Sequence, residues 1–166
     1  MKPLETTIEE VLRKAIDSEV ETRAYYQKLA ERAATPDVRK RMLELADAEL
    51  LHRAKMERKY REEVGKAPPD PETPKIDLPY DLVNVDMPRA LKHALERERE
   101  SESYYRFMAE RVPETELGHL FMELADIEWK HKTDLQADYD RSRADQPDQC
   151  LTDLCSSVSP PLPPAK

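Results

Sequence analysis

The segments ELADAELLH, at residues 44–52, and ELADIEWKH, at residues 123–131, are near copies of one another. An ungapped offset of 79 residues superimposes them, since it carries Glu44 onto Glu123. The same offset carries three upstream residues onto their counterparts: Glu19 onto Glu98, Tyr25 onto Tyr104 and Tyr26 onto Tyr105. Self-similarity of this kind indicates two copies of one structural unit, here a helical hairpin.

Four segments have apolar residues at alternating spacings of three and four, the pattern of amphipathic helices, and prolines fall between them. Either Thr6 with Glu9 or Thr7 with Glu10 has the spacing of a capping box at the first start. The predicted helices cover residues 6 or 7 to 33, 36–63, 88–112 and 114–141.

The segment between the second and third predicted helices, residues 64–87, carries five prolines and is predicted to be a long, non-helical crossover. The short connections within each half predict two antiparallel hairpins. We therefore expect an all-α, antiparallel four-helix bundle over residues 1–141, with two loosely joined hairpins as the alternative. The proline-rich residues 142–166 are predicted to be a disordered tail.

The formal net charge of -8 at pH 7, with acidic and basic residues interleaved, argues against a nucleic-acid partner. No apolar run is long enough to span a bilayer, so we expect no membrane partner and a cytoplasmic location. Cys150 and Cys155 do not have the spacing of a CxxC motif or of a common zinc site.

Each predicted helix has one apolar stripe facing the bundle axis, and carboxylates interrupt every stripe near its middle. Four buried glutamates could not all stay ionised without positive charge among them, and no lysine or arginine lies on the stripes at that level. Two divalent cations would neutralise them, with two imidazoles completing the ligand set. The predicted metal ligands are Glu19, Glu49, His52, Glu98, Glu128 and His131.

Two Glu-x-x-His pairs, each with an upstream glutamate on the preceding helix, resemble the ligand set of the rubrerythrin branch of the ferritin-like superfamily. The resemblance covers roughly residues 8–140. It implies a ferritin-like bundle, a centre of two iron ions, with manganese or a mixed pair as the alternative, and a homodimer.

Two departures from the rubrerythrin pattern bear on activity. Rubrerythrins proper carry an additional glutamate one turn after the third-helix ligand, where this sequence has Ser101. The resemblance associates that carboxylate with peroxide turnover. No rubredoxin-like pair of CxxC motifs follows the bundle, so electrons would come from an external, rubredoxin-like or other donor protein.

The leading hypothesis is an oxidoreductase that reduces hydrogen peroxide or dioxygen at the di-iron centre. A different class of function is an iron-handling protein that binds and oxidises ferrous iron and passes it on. A third is a helical interaction protein with a vestigial site.

Two interpretations are open for the tyrosines and aspartates near the predicted ligands. Tyr26 and Tyr105 would either hydrogen-bond a ligand carboxylate or pass an electron, or else be buried tyrosines with satisfied hydroxyls. Asp47 and Asp126 would support a ligand imidazole or lie in solvent. Trp129 is predicted to pack or to contact a second copy, and His93 and His119 to lie at the surface. Possible replacements for Glu98 are Glu96, Glu100 and Glu102.

Overall fold

The computed structural model describes residues 7–80 and 82–144. It has four α-helices: α1 is Ile8–Glu31, α2 is Pro36–Val64, α3 is Met87–Arg111 and α4 is Glu116–Ala144. Within these residues there is no β-strand, only an isolated bridge. The predicted all-α class with four helices is confirmed. No helix of the described part is long and apolar enough to cross a membrane.

The starts of α1 and α2 follow the capping signals in the sequence. The Thr7 hydroxyl accepts a hydrogen bond from the Glu10 N–H at 3.2 Å, and the Glu10 carboxylate accepts one from the Thr7 N–H at 2.9 Å. This is a capping box. Of the two candidate pairs, Thr7 with Glu10 is therefore the correct one. Thr35 caps α2, with Pro36 in the first turn, where its missing N–H costs nothing.

The connection between α3 and α4 differs from the prediction. α3 ends at Arg111 rather than 112, and α4 begins at 116 rather than 114, because Glu114 has a left-handed φ of 57°. The Thr115 hydroxyl accepts from the Gly118 N–H at 3.0 Å and so caps α4. A Cβ at Gly118 would lie 2.2 Å from the carbonyl oxygen of Val112, so this turn requires glycine.

The last helix is longer than predicted. α4 continues to Ala144 because neither glycine nor proline interrupts the chain there, and the Ser142 hydroxyl donates to the Tyr139 carbonyl at 2.7 Å. The predicted tail is therefore wrong for residues 142–144. The rest of that prediction, including Cys150 and Cys155, falls on residues 145–166, outside the described residues.

α1 packs against α2, and α3 against α4, as the two hairpins of the repeat. Two ion pairs connect α2 with α4: Arg41–Asp138 at 2.9 Å and Lys55–Glu123 at 2.5 Å. The later residue of α2 pairs with the earlier residue of α4, so the two helices are antiparallel. Arg97 on α3 pairs with Glu21 on α1 at 3.3 Å. The helices thus follow the order α1, α2, α4, α3 around the bundle.

The interior consists of two apolar clusters separated by a polar layer. The first core cluster is Tyr26, Leu29, Ala30, Val38, Met42, Leu45, Ala46, Leu78, Leu82, Val85, Ala90, Leu91, Ala94, Leu95 and Leu135. The second core cluster is Val11, Leu12, Ala15, Ile16, Met56, Tyr60, Tyr105, Met108, Ala109, Leu117, Phe121, Leu124 and Ala125. Each fully buried leucine-sized side chain stabilises by about 1.5–3 kcal/mol. The burial of these two clusters therefore provides most of the apolar contribution to the free energy of unfolding. The polar layer between them does not contribute to stability in this way.

The crossover is anchored to the bundle. Leu78, Leu82 and Val85 are buried in the first core cluster. The Val85 N–H donates to the Arg32 carbonyl at 2.7 Å, and the Arg32 guanidinium donates to the carbonyl oxygens of Pro79 and Leu82. Because all four helices and the crossover share that cluster, the alternative of two loosely joined hairpins is wrong.

Candidate metal centre

The polar layer holds the side chains that interrupt the apolar stripes. α1 contributes one glutamate, α3 another, and α2 and α4 each contribute a Glu-x-x-His pair, whose members lie on adjacent turns of one helix face. All four carboxylates are buried, as is one of the two imidazoles. The residues of this layer are Glu19, Glu49, His52, Glu98, Glu128 and His131.

A first group of ligand atoms surrounds His52. Its Nδ1 atom lies 3.0 Å from Glu128 Oε1, 3.1 Å from Glu49 Oε2 and 3.4 Å from Glu19 Oε2. Three helices therefore direct four side chains at one point. The group comprises one nitrogen and three carboxylates.

A second group surrounds His131, whose Nδ1 lies 3.3 Å from both Glu98 Oε2 and Glu128 Oε2. The imidazole rings of His52 and His131 are nearly parallel, with centroids 5.6 Å apart. Glu128 directs one oxygen at each histidine. It is thus the residue that the two groups share.

The spacing and the lack of hydrogen-bond donors both fit metal ions. Metal bonds of about 2.1 Å at right angles place ligand atoms about 3.0 Å apart, close to the observed separations of 3.0–3.4 Å. Glu19 Oε2 and both carboxylate oxygens of Glu128 are buried without a hydrogen-bond partner. Buried polar atoms are normally satisfied. The layer therefore could hold cations that complete its bonding.

Burial sets the protonation of the carboxylates in the metal-free layer. It raises the pKa of Glu19 well above the usual value, and it raises the pKa of Glu98 to about 8. Burial also opposes ionisation of Glu128, but the imidazoles of His131 and His52 beside its two oxygens outweigh that effect and lower the pKa of Glu128. One shared carboxylate is thus ionised while carboxylates on either side tend to hold protons.

The surrounding carboxylates favour the protonated form of both imidazoles and raise the pKa of each. Burial lowers the pKa of His52, but the carboxylates of Glu128, Glu19 and Glu49 outweigh it and raise the pKa to about 12. The neighbouring carboxylates of Glu128 and Glu98 raise the pKa of His131 to about 9. Metal ligation requires neutral imidazole and ionised carboxylate, so cations and protons compete for the same layer.

The comparison with known proteins agrees with this geometry. A family model described as Rubrerythrin matches residues 10–139. The chain belongs to the rubrerythrin family. A similar solved structure is a hypothetical protein from Pyrococcus furiosus, with 26% sequence identity and a TM-score of 0.61 over 84% of this chain and 92% of that one. No curated protein sequence matches the chain.

The two repeat-related tyrosines of this rubrerythrin-family chain are both buried, but their hydroxyls differ. The Tyr26 hydroxyl donates a hydrogen bond to Glu98 Oε1. The Tyr105 hydroxyl has no hydrogen-bond partner. The repeat relates Tyr105 to Tyr26 and Glu19 to Glu98, so the equivalent partner of Tyr105 would be Glu19. Tyr26 therefore contacts the centre directly. A relay role for either residue stays a prediction.

Of the α3 carboxylates considered for the third-helix position, Glu98 lies in the polar layer and its neighbours do not. Glu96 and Glu100 are exposed, and Glu102 is held by Lys132 and by Arg106, the latter at 3.0 Å. These two cations lower the pKa of Glu102 against the effect of its burial. Glu102 therefore does not replace the carboxylate that Ser101 lacks. The i,i+4 spacing of Glu102 and Arg106 is the sequence signal for this pairing.

The other polar candidates lie outside the centre. Asp47 and Asp126 are exposed, so the reading in which they support the ligand imidazoles is wrong; they are too far round their helices from the axis. Trp129 is 51% exposed and His119 is exposed. His93, expected at the surface, is partly buried, with its Nδ1 3.1 Å from the Tyr25 hydroxyl between α1 and α3.

Proposed function

We propose that the six-residue centre holds two iron ions and that the chain is a non-haem di-iron protein. The observation that carries this proposal is Glu128, whose two unsatisfied oxygens face the two separate ligand groups. Two divalent cations balance four carboxylates in a layer where both imidazoles become neutral. Nitrogen and carboxylate oxygen are ligands that suit iron, with manganese as the alternative metal.

A bound ferrous pair supplies two electrons to a small oxidant. The surrounding residues restrict what reaches it, because an apolar cluster lies on each side of the polar layer. Tyr26 fixes the orientation of Glu98 through its hydrogen bond and holds a proton next to the layer. Burial raises the pKa of Tyr26 well above its usual value, so the phenol keeps that proton at neutral pH.

The reaction we propose is reduction of hydrogen peroxide or dioxygen. Hydrogen peroxide accepts two electrons and two protons, its O–O bond breaks, and two water molecules form. An external donor protein returns the two electrons between turnovers. The donor, the homodimer and the cytoplasmic location stay predictions.

A second function, iron handling without peroxidase turnover, is favoured by one observation. The position of the additional family glutamate is Ser101, and the nearest carboxylate, that of Glu102, is paired with Lys132 and Arg106. No spare carboxylate of α3 is therefore free to follow a change in metal charge at that position. Such a centre would transfer one electron from each bound ferrous ion to hydrogen peroxide or dioxygen and then release the iron as ferric ion.

The two functions predict different stoichiometries. Protein loaded anaerobically with Fe(II) is mixed with one equivalent of hydrogen peroxide per iron pair, with and without a chemical reductant. Repeated peroxide consumption with iron retained supports the oxidoreductase. A single oxidation followed by loss or accumulation of iron supports iron handling. The control is the Asp126→Asn variant, which alters an exposed carboxylate outside the centre and should behave as the wild type.

A further inference from the structure

The two histidines of the centre differ in exposure. The His131 side chain is 24% exposed, whereas that of His52 is 3% exposed. The 79-residue offset relates these two positions, and each histidine follows its glutamate by three residues on equivalent helices. The difference must therefore come from what lies beside each histidine.

The ion pairs between α2 and α4 fix which residues face each other along this seam. Arg41 pairs with Asp138, and Lys55 pairs with Glu123. Ala48 lies midway between Arg41 and Lys55 in α2. The midpoint of their partners in α4 falls at residues 130–131. Ala48 therefore faces the helix turn that carries His131.

The repeat counterpart of Ala48 is Ile127, which by the same register faces the turn of α2 that carries His52. Ile127 is partly buried and packs against the second core cluster. Isoleucine has three side-chain carbons that alanine lacks. The histidine opposite the larger side chain is covered, and the histidine opposite the smaller one is open to solvent.

We propose that the gap beside Ala48 is the opening through which a small oxidant reaches the centre, and that Ala48 sets the size of solute admitted. The ion pairs Arg41–Asp138 and Lys55–Glu123 lie about two helix turns to either side of Ala48. The side chain that borders the gap is therefore the apolar alanine, which suits a small uncharged solute such as hydrogen peroxide. The nature of the solute rests on the proposed function, whereas the position of the gap rests on the helix register and on the exposure of His131.

The first test uses metal-free protein, so that it is independent of any bound metal. The rate at which hydroxyl radicals oxidise each histidine, a reaction that does not require the neutral imidazole, is followed by peptide mass spectrometry in the wild type, Ala48→Ile and Ile127→Ala. We expect Ala48→Ile to slow modification of His131 by about eight-fold, the ratio of the two exposed fractions. Ile127→Ala should speed modification of His52 and leave His131 unchanged.

The second test uses protein loaded anaerobically with Co(II), and nitric oxide, a small uncharged ligand, as the probe. Ala48→Ile should slow nitric oxide association, while Ile127→Ala should not. Ala48→Val, a smaller change, should give an intermediate rate and serves if the isoleucine variant fails to fold by circular dichroism. An unchanged His131 modification rate in a folded Ala48 variant overturns the proposal. Failure of the wild type to bind Co(II) would instead count against the proposed metal centre, and the modification rates would still decide whether the gap exists.

Discussion

Replacing Tyr26 by phenylalanine removes one hydroxyl from the centre, and the repeat supplies a matched control in Tyr105. Both side chains are buried and both variants delete a single oxygen. Only the Tyr26 hydroxyl donates a hydrogen bond, to Glu98, while the Tyr105 hydroxyl has no partner. The structure therefore predicts opposite effects for the same chemical change.

The expected magnitude follows from those hydrogen bonds. Leaving a buried acceptor without its donor costs about 1–3 kcal/mol, so Tyr26→Phe should lower the free energy of unfolding of metal-free protein by that amount. For a domain of this size that is a fall in Tm of about 2–12 °C. Removing the unpartnered hydroxyl of Tyr105 should leave stability unchanged or raise it by about 1 kcal/mol.

Urea denaturation of metal-free protein, followed by circular dichroism, measures both variants against the wild type. The denaturant slope should stay constant, since neither change alters the surface exposed on unfolding. Equal losses of stability in the two variants would refute the reasoning, because they would show that the hydroxyls have equivalent environments. A larger loss for Tyr105→Phe would refute it outright.

Three further predictions concern pH, the turn and the ligand choice. The pKa of His131 is raised from 6.5 to about 9 and that of Glu98 from 4.5 to about 8, so both bind more protons when folded; the stability of metal-free protein should therefore fall as the pH rises from 6.5 to 9 in thermal melts. Gly118→Ala should destabilise by about 1–3 kcal/mol in urea, because its Cβ would overlap the carbonyl of Val112. Glu102→Gln should keep the wild-type metal content by elemental analysis, whereas Glu98→Gln should lose metal.

Each of these has a control within the same chain. In metal-loaded protein the stability should stay nearly constant between pH 6.5 and 9, because metal ions then occupy the layer in place of the protons. A fall as large as that of metal-free protein would contradict the assignment of those protons to His131 and Glu98. Gly65→Ala, at a left-handed φ of 76° with open space around it, should cost only about 1–2 kcal/mol of backbone strain. Loss of metal in Glu102→Gln would show that Glu102 takes part in metal binding, and would contradict its assignment to ion pairs with Arg106 and Lys132.

Much of the fold is determined by local and periodic signals. Prolines between the apolar stripes place the helix boundaries within a few residues, and Thr7 with Glu10 marks the first start through local hydrogen bonds. The sequence places the α3–α4 turn too narrowly, at Pro113 alone, because the geometry of this turn depends on the left-handed φ of Glu114 and on the close approach of Gly118 to Val112. Neither follows from periodicity.

The grouping of the six candidate residues in one layer could also be predicted, because the repeat places equivalent residues at equivalent depth, whereas their role as ligands stays a prediction. What the repeat cannot give is the difference between its two copies. The partner of Tyr26, the unpartnered Tyr105 and the exposure of His131 depend on packing between hairpins, which symmetry in the sequence does not specify. The crossover was recognised by its prolines, but its anchoring through Val85 required tertiary contacts.

The proposed di-iron centre is tested by counting the iron ions bound per chain after anaerobic loading and desalting, in the wild type and in Glu128→Ala. Because Glu128 is the carboxylate shared by both ligand groups, we predict two irons per chain in the wild type and at most one in the variant, with the variant still folded on its apolar clusters. A folded wild type that binds no iron, or a variant that binds as much as the wild type, would contradict it.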